Sequence, residues 1–135
     1  MRATNTLSFA LLSLLVACAT PAQMTTGPST LGADGQVKVA EGPNGNTLVK
    51  IAIHHLADPA AVKAGSTVYV AWIQSAEGGQ QQNVGQIQLN ADKEGVLETV
   101  TPFKAFTVTV TPEPLSTATT PSGNPVLTTR INARE

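Results

Sequence analysis

Between residues 36 and 131, apolar side chains recur at every second position in short runs. A period of two puts alternate side chains on opposite faces of an extended chain, so the pattern demands strands with at least one buried face. "GQVKVAE" alternates at Val37 and Val39, and "TLVKIAIHHL" sets Val49, Ile51 and Ile53 against Leu48, Lys50, Ala52 and His54. "STVYVAWIQ" is apolar on both faces, with Val68, Val70 and Trp72 opposite Tyr69, Ala71 and Ile73, as in a central strand covered on both sides. "NVGQIQLN" turns Ile87 and Leu89 inward and Gln86 and Gln88 outward; "GVLETV" is short and weak. "AFTVTVTP" opposes Phe106, Val108 and Val110 to Thr107, Thr109 and Thr111, and "PVLTTRI" closes the set with Leu127, Thr129 and Ile131.

Turn residues separate the runs: Gly42-Pro43-Asn44-Gly45-Asn46, Gly78-Gly79, Asp92-Lys93-Glu94-Gly95, and the proline-rich stretches 112–114 and 121–125. "DPAAVKAG", residues 58–65, is long enough for one helical turn only. Seven short strands without a real helix predict an all-β fold, a small two-sheet β-sandwich of immunoglobulin-like size. Val49, Ile51, Ile53, Val70, Trp72, Ile87, Leu89, Phe106, Val108 and Val110 are the expected inward-facing core. Cys-Trp-Cys spacing is absent, so a true immunoglobulin domain is not expected, and Trp72 is read as core between the sheets.

The N-terminus follows a different rule. Arg2 precedes the apolar run "LSFALLSLLVA", whose eleven residues would reach roughly 16 Å as a helix, about half of a hydrocarbon core. Residues 1–17 are therefore expected to be a cleaved signal peptide of the lipoprotein type. "LVAC" resembles the bacterial lipobox, in which Cys18 receives a diacylglyceryl group and becomes the mature N-terminus. The rival is "ACA", which fits ordinary secretory cleavage. Residues 18–33, rich in Pro, Gly, Ser and Thr, are expected to form a flexible tether, and residues 34–135 the sandwich. Acyl chains at about 0.8 kcal/mol per buried methylene would hold such a chain firmly on a membrane. The expected location is outside the cytoplasm, membrane-anchored and facing periplasm or cell exterior; Ala19, rather than Asp, after the cysteine favours the outer membrane in a Gram-negative host.

Cys18 is the only cysteine, so its acylation leaves no thiol for a disulfide or a thiolate metal site. A net charge of −1 and the lack of a basic cluster argue against nucleic acid as a partner. His54 and His55 are the only histidines, and neighbours on a strand point to opposite faces unless a bulge re-aims one; with Asp58 they fall short of the four ligands of a structural site. No "GxSxG" frames a serine. "EGGQQQN", residues 77–83, reads either as a solvated loop or as a hydrogen-bonding surface for a glycan or protein. No catalytic, cofactor-binding or metal-ligating residue is assigned, no cofactor is expected, and Cys18 alone is named, as a lipidation site.

Four segments, "TVYVAWIQ", "NVGQIQL", "FTVTVTPEP" and "TPSGNPVL", together resemble the C-terminal extracytoplasmic domain of the anti-sigma-K factor family. Tyr69 and Trp72, Gly85, residues 109–114 and Pro121-Ser122-Gly123 stand in the family's order. Leu115 and Ser116 replace two glycines of that pattern, and Pro112 is inserted before Glu113. The resemblance implies a sandwich, an extracytoplasmic role, and a Glu113 that fixes a corner through backbone hydrogen bonds. The cytoplasmic sigma-binding domain and membrane helix of that family have no counterpart here, so direct sigma-factor binding is not expected. The leading expectation is a non-catalytic, lipid-anchored envelope protein serving as an interaction or structural module, with an envelope protein or glycan as partner. The alternative is an extracytoplasmic sensor or regulatory accessory of an anti-sigma-factor system.

Overall fold

The computed structural model describes residues 20–27 and 32–132. The described residues form nine strands: β1 (Ala22–Gln23), β2 (Thr25–Thr26), β3 (Asp34–Glu41), β4 (Thr47–His54), β5 (Val68–Ser75), β6 (Gln82–Ile87), β7 (Gly95–Thr101), β8 (Phe106–Glu113) and β9 (Leu127–Ile131). One helical turn, α1 (Pro59–Val62), lies between β4 and β5. All pairings are antiparallel, in a four-stranded sheet of order β1-β3-β4-β7 and a five-stranded sheet of order β2-β9-β8-β5-β6. The fold is thus the small two-sheet sandwich that the alternation predicts.

Between the sheets, the four-stranded layer contributes Val37, Val49, Ile51 and Ile53, and the five-stranded layer contributes Tyr69, Ala71, Ile73, Ile87, Phe106, Val108, Val110 and Leu127, all buried in one cluster. Leu89 packs against this cluster, half-buried, beyond the end of β6. Leu56 and Met24 belong to the same cluster. β7 is a full seven-residue edge strand whose Leu97 packs inward while Val96 and Val100 stay exposed.

Two expectations need correction. Trp72 and Val70 are fully buried but do not lie between the sheets. Tyr69, Ala71 and Ile73 take the inter-sheet face of β5, so strand alternation turns Val70 and Trp72 to the outer face. There the strap of residues 114–125 covers them, pinned by Asn83 Nδ2, which donates to Ser116 O (2.8 Å) and Ala118 O (2.9 Å). Second, residues 22–26, inside the segment expected to be a tether, are paired. Ala22 stands opposite Val37 in one sheet and Thr25 opposite Thr128 in the other, while Met24 between them is buried. A single apolar side chain plugging the gap lets the segment cross from one sheet to the other.

Two local irregularities have clear causes. The β5–β6 register slips between Ala71 and Trp72, leaving Val84 as an extra residue; the next position is Gly85 at φ 140°, where a Cβ would lie 3.2 Å from Leu97 Cδ1. Pro112 sits in β8 opposite Tyr69, yet β9 begins only opposite Val110, so the missing N–H falls where no strand remains to accept it.

Candidate functional site

Cys18 lies outside the described residues, which begin at Thr20. What the structure gives is the direction in which the described chain runs before β1. Ala22 opposite Val37 and Gln23 opposite Gln36 run antiparallel to β3, so Pro21 and Thr20 head toward Glu41. Thr20 accordingly lines a cleft of about 210 Å³ with Val39, Arg130, Ile131 and Asn132. That pole holds the β3–β4 hairpin and the loop 102–105, which are tied together by Thr47 Oγ1 donating to Phe103 O (2.8 Å) and Lys104 Nζ donating to Gly45 O.

The most organised polar feature stands toward the other pole, where β8 ends. Glu113 follows Thr111 by two residues, so both side chains share the outer face of β8 with Trp72 across the ladder. Trp72 Nε1 donates to Thr111 Oγ1 (2.8 Å), and that hydroxyl donates to Glu113 Oε1 (2.7 Å). From the strap, Ser122 donates its backbone N–H to Glu113 Oε1 (2.8 Å) and its hydroxyl to Oε2. Lys63, after α1, reaches Ser122 O at 2.9 Å. Burial alone would push the Glu113 carboxyl up; the Ser122 and Thr111 hydroxyls, the Ser122 amide and the Lys63 charge outweigh it and hold the group below its ordinary value. The donors and acceptors chain head to tail, an arrangement that strengthens each bond and fixes the strap on the sheet.

His54 and His55 close β4 at the same pole. The strand ends at His54, and His55 adopts φ 56°, a left-handed turn that brings the two ring centroids to 6.3 Å of one another. The backbone thus re-aims one ring, as a bulge would. Each ring is engaged by a carboxylate: His54 Nδ1 lies 3.2 Å from Glu94 Oε1 and His55 Nδ1 lies 3.1 Å from Asp34 Oδ1. Asp58 pairs with Lys93 Nζ at 2.8 Å instead of joining the histidines. Among the described residues no three His, Cys, Asp or Glu side chains are grouped to hold a metal ion. Tyr69, whose hydroxyl donates to Ala57 O (2.6 Å), has its pKa pushed up to about 12 by burial and then by the nearby Asp58 charge.

Residues 77–80 of the polar loop are exposed, with Gly78 and Gly79 both at positive φ, and Gln74 Nε2 donating to Gly79 O (2.6 Å). The loop's last residue, Asn83, is the one that holds the strap. Of the Glu113 partners, Thr111 was accessible from two-residue spacing, whereas Ser122 and Lys63 come from separate loops and leave no local signal. Among the described residues every buried side-chain nitrogen and oxygen has a partner, and no helix is long and apolar enough to cross a membrane. Comparisons with protein-family models, with curated proteins and with solved structures give no match for this chain.

Proposed function

We propose that this chain is a non-catalytic, lipid-anchored cell-envelope protein whose exported β-sandwich acts as an interaction or structural module. The observation that carries the reading is that the sandwich's buried polar groups are engaged by the fold itself. Glu113 is saturated by Thr111 and Ser122, Trp72 by Thr111, and Tyr69 by Ala57, which leaves no poised acid or base in the interior among the described residues. The "LVAC" sequence at the end of an eleven-residue apolar run supports Cys18 as the anchor. In this reading residues 1–17 are removed and the sandwich is displayed outside the cytoplasm.

Detergent phase partitioning of wild type and Cys18→Ala tests the anchor: wild type enters the detergent phase and the variant moves to the aqueous phase. Equal partitioning of the two would refute it. Crosslinking in intact cells tests the module; recovery of envelope proteins or peptidoglycan fits it, whereas turnover by the purified protein, abolished at His54, His55 or Glu113, would contradict it.

A second reading, as an accessory of an anti-sigma-factor system, is supported by one observation. The segments that resemble the anti-sigma-K extracytoplasmic domain meet at one corner: Trp72 to Thr111, Glu113 to Ser122, and Asn83, beside Gly85, to the strap. Crosslinking that returns a single membrane-bound anti-sigma factor would favour this reading over the first.

A further inference from the structure

We propose that the pole formed by the hairpin at 42–46, the loop 102–105 and the end of β9 is laid against the bilayer surface, so that the strap, Glu113 and the histidine pair face away from it. The inference rests on Cys18 being the lipid anchor. Four residue steps separate Cys18 from Ala22, the first paired residue. At no more than about 3.6 Å per residue, that spacer reaches at most about 14 Å. Part of that length is already spent, because Thr20 lines the cleft beside Val39, which leaves two steps, about 7 Å, between Thr20 and Cys18. From Val39 back to Asp34 the strand runs five steps, roughly 17 Å, so Cys18 has no length to travel back along the sandwich and set the opposite pole on the membrane.

Charge points the same way. The pole away from the anchor gathers Asp34, Asp58, Asp92 and Glu94 against Lys63 and Lys93. The pole toward it balances Glu41 and Glu77 with Lys104 and Arg130. An anionic leaflet repels the first more than the second, and within a Debye length of about 8 Å that difference reinforces the orientation. The facing hairpin Pro43-Asn44-Gly45 is exposed and polar, which suits contact with headgroups without insertion.

The test uses full-length lipid-modified protein extracted from membranes and reconstituted into phosphatidylethanolamine–phosphatidylglycerol vesicles bearing a headgroup-labelled acceptor lipid. With Cys18 acylated the chain has no other thiol, so Pro102→Cys and Asp92→Cys each accept a single donor fluorophore. Energy transfer to the headgroups should be several-fold stronger from position 102 than from position 92, and a Gly-Ser spacer inserted between Ala19 and Thr20 should erase the difference. Equal transfer from both positions, in protein that floats with the vesicles, overturns the orientation while leaving the anchor standing. Protein that fails to float overturns the anchor and the orientation together. Glu41→Cys and Ala91→Cys supply a second pair should either first variant melt abnormally.

Discussion

Trp72 shows how one side chain couples two layers. Its ring fills the space under the strap while its N–H begins the chain of bonds that ends at Glu113. Trp72→Ala should cost about 3–5 kcal/mol in a chemical-denaturation experiment, and Trp72→Phe, which keeps most of the volume but loses the donor, about 1 kcal/mol. Glu113→Ala removes the acceptor for three donors, each left unpaired at about 1–3 kcal/mol where water cannot replace it. Because the folded Glu113 ionises below its ordinary value, its contribution is complete above the usual carboxylate range. It is lost as pH falls through the folded value, so Glu113→Gln should flatten the acid limb of the stability profile. Tyr69 gives the opposite limb. The unfolded phenol ionises near 10 and the folded one near 12, so stability falls as pH rises across that interval, and Tyr69→Phe should remove that slope.

At the scale of elements, the N-terminal strands are the part most open to challenge. Met24 is their only buried side chain, seated between Ala22, which pairs with β3, and Thr25, which pairs with β9. Met24→Ala should cost about 2–5 kcal/mol, and Met24→Asp should release both strands, seen as hydrogen exchange at the Met24 amide that now donates to Gly35 O. Unchanged exchange in Met24→Asp would mean that the strands hold without their plug. Two-residue strands are too short to show a period, and their composition matches a linker, which is why the sequence reads there as a tether. The seven longer strands were legible because five to eight residues are enough to show a period. β5 was legible as a strand but not as to its faces: with apolar residues on both, nothing local says which side meets the second sheet. The answer depends on the strap, whose own residues are mostly Ser, Thr and Pro. His55 escaped for a related reason, since its left-handed backbone is a property of the turn and not of the residue type.

At the scale of the whole molecule, the sandwich separates a pole that holds Thr20 and the 42–46 hairpin from one that presents the strap and the histidine pair. Its polar interior is closed by its own bonds, and the surface left for a partner includes Val96 and Val100, 58% and 43% exposed, beside the Lys50–Glu98 pair on the outer face of the four-stranded sheet. Everything in the functional account nonetheless hangs on residue 18. The most direct test is the intact mass of the mature protein extracted from membranes of its native host. The account predicts a chain that begins at Cys18, lacks residues 1–17, and carries the added mass of a thioether-linked diacylglyceryl group. A mature chain with an unmodified Cys18, or one that begins at Thr20 after cleavage behind Ala19, would contradict it.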